Sequence, residues 1–343
     1  MSSPDPVRFG VIGAGWFASR RHLPDIQRNE HAALAALCRR DERALARVAA
    51  CFEPERIYTD WRAMLDECPL DAVLIATPNA QHCEQARAAI DRGLHVLVEK
   101  PMAVTSAEAN DLCERAARKG VHLAVALNPP HWSHCHRLRH AIRSGKIGDI
   151  EAIDIFWTGD ARFVFGDAPP PAELPGVVPP TLYRADPEQC GGGYFVDGGS
   201  HLVSEALWVT GLRAVRVTCV MDRLPSDRRA ALSVQLSNGA TATITCVGDS
   251  RFSARRARSV FAGSRGAATI EGSEFVTTVH AAADEPQTFQ ESELPPVSGP
   301  VANLVEAIRG EAELYSPGAH GAHVVEVVEA AYRSAATGAA VSL

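Results

Sequence analysis

The sequence predicts an α/β protein in which a domain with a parallel sheet precedes an α+β domain with a largely antiparallel, open sheet. Up to about residue 128, apolar strand-like runs alternate with helical patterns. From Ile150 onward, strand-like runs follow one another, and Asn238-Gly239 between two of them indicates a hairpin. The 343 residues are enough for two separate cores. We therefore predict two domains, at residues 1–128 and 129–343.

The predicted elements follow from apolar periodicity and from breaker residues. In the first domain, strands are predicted at 7–12, 32–37, 57–58, 71–76, 95–98 and 121–127, with helices at 42–50, 60–65, 82–92 and 106–119. In the second, strands are predicted at 151–157, 215–220, 231–236, 240–247, 259–262 and 267–270, with helices ending at 208 and spanning 300–309 and 320–336. The proline-rich segment 167–180 has neither period, and we predict a surface loop that lids the site.

A glycine-rich turn follows the first strand. The pattern Gly13-x-Gly15-x-x-Ala18 opens a helix, and each small residue has a physical purpose. Gly13 permits a tight turn, Gly15 lets a pyrophosphate approach the backbone, and Ala18 allows close helix–strand packing. The pattern is typical of a Rossmann dinucleotide site, with Trp16 and Phe17 beside the cofactor, although plain βα units also contain glycine turns. The N–H groups and dipole of the helix start would hold the anion.

Two arginines follow the second strand. An NAD-binding Rossmann domain usually has an acidic residue here, which binds the ribose 2′-hydroxyl. This chain has Arg39 and Arg40, followed by Asp41. A guanidinium fits a 2′-phosphate, so we expect NADP rather than NAD. The alternative is a solvated basic loop in which Asp41 caps the next helix.

Composition limits the partners and the compartment. A net charge of −7 makes nucleic acid or an anionic membrane surface an unexpected partner. We also expect no membrane-spanning segment. The nine cysteines are scattered without a Cys-x-x-Cys pair, which favours reduced thiols in a cytoplasmic protein.

Several later motifs carry a family resemblance. They are Thr77-Pro78-Asn79-x-x-His82, Glu99-Lys100-Pro101, Gly145-Lys146-Ile147-Gly148 and the glycine-rich stretch 191–201, which contains Asp197 and His201. Together with the glycine turn, they resemble the glucose–fructose oxidoreductase, inositol dehydrogenase and rhizopine-catabolism (Gfo/Idh/MocA) family. The resemblance covers nearly the whole chain.

The resemblance implies an NAD(P)-dependent oxidoreductase acting on a sugar, a sugar derivative or a cyclitol, and a homodimer or homotetramer. A glycosidase of similar fold that recycles bound NAD and a non-catalytic cofactor sensor are the alternatives. The resemblance also implies cofactor contacts at Thr77, Pro78, Asn79, His82, Glu99, Lys100 and Asn128. For His82, a helix-start histidine without a ligand is the other interpretation.

Three residues are candidates for proton transfer. Asp197 and His201 are four apart where the glycine stretch gives way to a helix, which would place them on one face. Hydride transfer from an alcohol needs a base, and imidazole suits that task near neutral pH. We expect His201 to be general base in oxidation and general acid in reduction. Asp197 would orient it or bind a neighbouring hydroxyl, and Lys100 would stabilise the alkoxide.

The plainer alternative makes Lys100 a solvated lysine and Asp197 a helix cap. A cluster of histidines raises a different possibility. His136 and His140 are spaced to chelate zinc, but no acidic base lies between them. We expect no metal, and we interpret the histidines at 131–140 mostly as surface residues.

Overall fold

Two sheets organise the chain, which we describe from a computed structural model covering residues 5–172, 174, 176–252, 256–282 and 284–343. The strands are β1 Val7–Ile12, β2 Ala32–Cys38, β3 Arg56–Tyr58, β4 Ala72–Ile75, β5 His95–Val98, β6 Leu123–Val125, β7 Ile150–Thr158, β8 Ala214–Met221, β9 Arg229–Leu236, β10 Thr241–Val247, β11 Arg256–Gly263, β12 Gly266–Glu271, β13 Val276–Ala281, β14 Gln287–Phe289 and β15 Val341–Ser342. The helices are α1 Leu23–Arg28, α2 Glu42–Phe52, α3 Trp61–Glu67, α4 His82–Asp91, α5 Ser106–Lys119, α6 Ser133–Arg143, α7 Pro187–Cys190, α8 Ser200–Thr210, α9 Pro300–Ile308 and α10 Gly318–Thr337. The predicted fold class is confirmed.

The first compact unit contains a parallel sheet of six strands in the order β3-β2-β1-β4-β5-β6. The order reverses between β1 and β4, which is where ligands bind to a doubly wound sheet, at the carboxyl ends of the strands. The central strand β4 is buried on both faces, as expected for parallel strands covered by helices. The helices of this unit begin and end at residues that are typical of helix termini. In α5, Thr105 and Glu108 form a capping box, and Gly120 ends the helix with a φ of 66°.

The second unit contains a mixed sheet of nine strands in the order β14-β13-β12-β11-β7-β10-β9-β8-β15. Among these pairs β7 and β10 run parallel, and the others are antiparallel. Side chains alternate between faces: in β9 Ala230, Leu232, Val234 and Leu236 are buried, and the residues between them are exposed. Helix α8 packs on the strands β7 and β10. Three short strands, β13, β14 and β15, had no sequence prediction.

The two units are discontinuous in sequence, whereas the predicted division is a single boundary after residue 128. Residues 168–183 and 298–322 pack with residues 1–126, and the remainder forms the second unit. Burial explains this arrangement, because Val178, Val301, Leu304 and Val305 belong to the core cluster around β1 and α1. Hydrophobic packing assigns these later segments to the first core.

The core position of α9 gives a stability prediction. Leu304 is fully buried, so Leu304→Ala removes apolar contacts and leaves a cavity. We expect the free energy of unfolding to fall by about 2–5 kcal/mol, measured by urea denaturation. Leu182 is 56% exposed, and Leu182→Ala is the matched control, for which we expect a change of less than about 0.5 kcal/mol. Equal effects of the two substitutions would contradict the assignment of α9 to the core.

Candidate active site

The glycine-rich turn has the geometry predicted for its first glycine. Gly13 has a φ of 90°, and a Cβ there would lie 2.7 Å from the carbonyl carbon and oxygen of Ala76 at the end of β4. Only glycine fits both the conformation and the space. A Cβ at Gly15 would meet nothing closer than Nη1 of Arg39, at 3.5 Å. The backbone of Gly15 is therefore open to close approach by a ligand.

Several amides of the turn are used by the protein itself. The N–H groups of Gly13 and Ala14 donate to the carbonyl of Cys38 at 3.0 and 3.2 Å, and the N–H of Gly15 donates to Gly13. These bonds hold the turn against the end of β2. The chain then winds into a wide π-helical turn, Ala18–His22, before α1. Amides available to an anion must therefore come after Gly15, from the first turn of the helix that Trp16 and Phe17 begin.

The two arginines after β2 have different surroundings. Arg39 is partly buried against the glycine turn, where its Nη1 donates to the carbonyl of Ala14 at 2.9 Å. Within the part of the chain that the structure describes, its buried Nε has no hydrogen-bond partner, and burial lowers the pKa of the guanidinium. Arg40 is exposed, and Asp41 caps α2 by accepting from the amide of Ala44 at 2.9 Å. A guanidinium with an unused buried donor beside the dinucleotide turn fits an additional phosphate.

The segment after β4 is fixed by its own side chains. The hydroxyl of Thr77 donates to Gln85 at 2.6 Å. His82 is fully buried, with its two ring nitrogens each 2.8 Å from a backbone carbonyl, those of Thr77 and Pro101. Burial lowers the pKa of His82, and a neutral ring donates to only one of these carbonyls. His82 thus ties the ends of β4 and β5 together, and both its nitrogens face protein atoms. Asn79 is also buried, and its side chain accepts from the hydroxyl of Tyr183 at 3.4 Å.

The Glu-Lys-Pro motif involves a histidine that the sequence analysis missed. The carboxylate of Glu99 lies 2.7 Å from Nε2 of the buried His22, and its other oxygen accepts from the amide of Lys100 at 3.2 Å. Lys100 itself is half-buried at the carboxyl edge of the sheet. The available signal was the position of His22 on the inner side of the first helix, one helical turn from Ala18. Pro78 takes an extended conformation before a short helical turn.

The proline-rich segment is anchored beside the glycine turn. Val178 is buried, and its amide donates to the hydroxyl of Ser19, which in turn donates to the carbonyl of Gly15. This segment was predicted as a surface loop, but part of it enters the first core. Glu173 and Pro175 lie outside the described residues.

In the second unit, the stretch 191–201 forms a π-helical turn, Phe195–Gly199, that runs directly into α8. Asp197 lies in this turn, and its carboxylate accepts from Nε of Arg184 at 2.8 Å, with both side chains largely buried. The sequence analysis did not find Arg184, because it lies between the proline-rich segment and the glycine-rich stretch, where no element is predicted. Its charge holds the carboxylate in one orientation.

His201 is the second residue of α8, and its ring contacts the predicted site residue Asn128. The amide of Asn128 donates to Nδ1 of His201 at 3.3 Å. A neutral ring in this arrangement carries its proton on Nε2. To accept a proton at Nε2 the ring must instead carry its own proton on Nδ1, and so lose the Asn128 contact. At 3.3 Å this hydrogen bond is longer than the usual range of about 2.7–3.2 Å. It is therefore weak, and the change of tautomer loses little by breaking it.

Comparison with known proteins settles the family. Residues 7–127 match the model of an oxidoreductase family with an NAD-binding Rossmann fold, and residues 135–269 match the Gfo/Idh/MocA C-terminal domain. The chain belongs to the Gfo/Idh/MocA family. The resemblance inferred from the motifs is confirmed.

Relatives of this Gfo/Idh/MocA protein include named sugar enzymes. It is 33% identical to dTDP-3,4-didehydro-2,6-dideoxy-alpha-D-glucose 3-reductase of Streptomyces antibioticus, over 47% of this chain and 51% of the relative. It is 28% identical to D-glucoside 3-dehydrogenase of Escherichia coli K12, over 62% and 56% of the two chains. The matched segments thus span about half the length of these relatives.

Solved structures share the fold over almost the whole chain. Levoglucosan dehydrogenase in complex with NADH superposes with a TM-score of 0.86 at 20% identity, covering 98% of this chain and 99% of that one. An oxidoreductase domain protein from Kribbella flavida gives 0.84 at 22% identity, with the same coverage.

The histidines at 131–140 are less exposed than predicted. His134 is buried and stacks on Phe275 with a centroid distance of 4.7 Å, and burial lowers its pKa to about 4. Nε2 of His136 lies 2.8 Å from the carbonyl oxygen of Pro130, and the ring packs against Trp208. His140 is exposed. Among the described residues, no group of three or more His, Cys, Asp or Glu side chains is arranged to hold a metal ion.

Nor does any described helix combine the length and apolarity needed to cross a membrane.

A buried acid on α8 was also missed. Glu205 lies one helical turn after His201 and is only 5% exposed. Among the residues that the structure describes, its Oε1 has no hydrogen-bond partner, and the side chain forms a hydrogen bond with Ser259. Burial raises the pKa of Glu205 to about 7. The sequence offers no signal for it beyond one acid in an otherwise apolar helix.

Glu205 makes stability depend on pH. The folded state retains the Glu205 proton up to about pH 7, whereas the unfolded chain releases it near about pH 4.3. The free energy of unfolding of the wild type therefore falls as the pH rises between these values. Glu205→Gln removes this loss, and we expect the variant to gain roughly 1–3 kcal/mol on the wild type between about pH 4.5 and pH 8.

Urea denaturation at both pH values measures this difference. The exposed Glu285 provides the control, and Glu285→Gln should shift stability equally at both pH values. A pH-independent difference for Glu205→Gln would contradict the buried, protonated carboxyl.

Proposed function

We propose that this chain is an NAD(P)-dependent oxidoreductase that transfers a hydride between nicotinamide and a carbinol or carbonyl carbon of a sugar, a sugar derivative or a cyclitol. The observation that carries the proposal is the Gly13–Gly15 turn with Arg39 packed against it, in a chain of this family. The named relatives act on sugars, which supports the substrate class. One of them, D-xylose 1-dehydrogenase of Haloferax volcanii, is named for NADP(+) and is 39% identical over 113 residues.

The residues present fit a pyridine dinucleotide. Gly13, Gly15 and the first helical turn with Trp16 and Phe17 would hold the pyrophosphate, and Arg39, with Arg40 at the surface, would hold a 2′-phosphate. Thr77, Pro78, Asn79, Glu99 and Asn128 would line the nicotinamide side. His82 would act through the backbone that it supports. The bound dinucleotide supplies the hydride acceptor or donor.

The protein's own groups would handle the proton and the charge. His201 would take the hydroxyl proton in oxidation and return it in reduction, with Nδ1 released from the Asn128 amide as it does so. Lys100 would place an ammonium group at the developing alkoxide. Asp197, oriented by Arg184, would accept a hydrogen bond from a neighbouring substrate hydroxyl. Its orientation by an arginine favours this role over that of a helix cap.

The exposed face of the nine-stranded sheet supports the expected homodimer or homotetramer. A cross-strand row on this face contains Val220, Ala231, Thr245, Phe156 and Arg258. Val220 is 71% exposed and Phe156 is 37% exposed. Exposed apolar residues in such a row are typical of a surface that is covered in an assembly.

A substrate screen of the wild type, together with a variant that lacks the His201 imidazole, tests the function. We expect net turnover of free NADP or NAD with at least one sugar, sugar phosphate or inositol, followed by absorbance. His201→Gln keeps an N–H donor but cannot exchange a proton, so we expect kcat to fall about 10²- to 10⁴-fold. Retained activity in this variant would limit His201 to donating a hydrogen bond. Hydrolysis of a glycoside without net dinucleotide turnover would instead indicate the glycosidase.

The cofactor preference is tested at the two arginines. Because Arg39, unlike the exposed Arg40, donates a hydrogen bond to the glycine turn, Arg39→Gln should weaken NADP binding by about 10- to 100-fold and NAD binding much less. Arg40→Gln is the matched control and should have a smaller effect. Calorimetric titration of each variant with both dinucleotides measures this. Equal weakening of NAD and NADP by Arg39→Gln would refute the assignment of the 2′-phosphate to Arg39.

A further inference from the structure

A buried network lies directly behind the stretch 191–201. Asp227, in the turn between β8 and β9, is completely buried. Its Oδ2 accepts from the amide of Phe195 at 2.8 Å, and its backbone carbonyl accepts from the amide of Tyr194 at 2.8 Å. The hydroxyl of Tyr332 on α10 donates to Oδ1 of Asp227 and accepts from the amide of Gly193 at 2.8 Å. Three consecutive amides of the stretch are therefore held by one acid and one phenol.

The backbone of the stretch touches these two residues without an intervening side chain. A Cβ at Gly193 would lie 2.3 Å from the backbone nitrogen and oxygen of Asp227. A Cβ at Gly192 would lie 2.6 Å from the hydroxyl of Tyr332. Contacts this short exclude any larger residue at either position. The glycines are thus required for the hydrogen bonds to form.

Asp227 is itself held rigidly by its own turn. The carboxylate of Asp222 accepts from the amides of Arg228 and Arg229, both at 2.9 Å. The guanidinium of Arg228 donates to the carbonyl of Asp227 at 3.2 Å and is buried over the ring of Phe165. The turn is thereby part of the framework of the nine-stranded sheet. The three amides are fixed relative to that sheet.

The acid has an energetic cost that packing alone does not explain. Burial raises the pKa of Asp227 to about 6, although Tyr332 and the Phe195 amide stabilise the charged form. A well-packed apolar residue would avoid the cost of burying a carboxylate. Because an ionised carboxylate only accepts hydrogen bonds, both the Phe195 amide and the Tyr332 hydroxyl must direct their hydrogens toward Asp227.

We propose that Asp227 and Tyr332 are positioning residues that fix the backbone at 193–195 and thereby set the place of Asp197 and His201. This proposal rests on the proposed function. Phe195 begins the π-helical turn, Asp197 follows two residues later, and His201 follows six residues later at the start of α8. A displacement at Phe195 therefore passes along a continuous helical backbone to both groups. A displacement of about 1 Å can reduce a catalytic rate by about 10²-fold.

The variants Asp227→Asn and Tyr332→Phe test this role. Asp227→Asn leaves one acceptor oxygen in place of two, so the side chain can no longer accept from both Tyr332 and the Phe195 amide. Tyr332→Phe removes the acceptor of the Gly193 amide, and both variants nearly preserve volume. At about pH 8, where Asp227 is ionised, we expect kcat to fall about 10- to 100-fold, with KM for the sugar and the affinity for the dinucleotide almost unchanged. Asp149→Asn, at an exposed position just before β7, is the matched control and should leave kcat unchanged. Tyr332→Phe provides the test if Asp227→Asn does not fold.

A pH profile separates positioning from mere support of the fold. The charged and titratable groups facing Asp227 are Tyr332, Asp222, Arg228, Cys219 and Cys246. Below about pH 6 the wild-type acid is protonated, so its rate advantage over Asp227→Asn should shrink as the pH falls. Hydrogen exchange should show faster exchange of amides 193–201 in both variants and not in the control. This readout does not depend on catalysis.

The outcomes are distinct. Wild-type protein that turns over no sugar refutes the proposed function, and unchanged exchange at 193–201 refutes the positioning contacts. If the wild type is active and both variants keep its kcat, the proposal is overturned even if their melting temperatures fall. A lower kcat with a pH-independent ratio to the wild type also overturns the role of the Asp227 charge.

Discussion

The first unit depends on the close contact between Gly13 and the end of β4. That contact lets the chain leave β1 and turn sharply enough to begin a helix beside the neighbouring strand. It also brings the backbone of Ala14 within reach of Arg39, whose side chain completes the turn from the end of β2. One missing side chain thus determines where three strand ends converge. The hydrogen bonds of Cys38 to the turn maintain the same geometry from the other side.

The second unit uses the same physical device for a different result. In the stretch 191–201, glycine allows backbone amides to meet a buried acid and a phenol, and the helix that follows carries His201. Both units therefore combine a glycine contact with a wide π-helical turn just before a helix. Such turns occur often at functional sites, because they alter the direction of side chains without ending the helix. In each unit, tight backbone packing places the candidate groups.

Local sequence pattern predicted most of the helices and strands but few of the contacts between residues that are distant in sequence. The strands of the first sheet and the long strands of the second follow from apolar runs and turn residues, and the family motifs indicate Lys100, Asp197 and His201 as candidates. The short strands β13 and β14 alternate too weakly to be recognised, and the parallel pairing of β7 with β10 joins residues far apart in sequence. The partners of Glu99 and Asp197 were missed for the same reason. His22 and Arg184 become significant only when tertiary contacts are known.

The composition of the first core has a consequence for biosynthesis. Its sheet is complete after residue 125, but Val178, Val301 and Leu304 also belong to its interior. A ribosome delivers these residues only when most of the chain has been made, and N-terminal domains that fold during synthesis usually do so earlier. The apolar surface that α9 covers therefore stays exposed on the nascent chain until the ribosome has made residues 300–308.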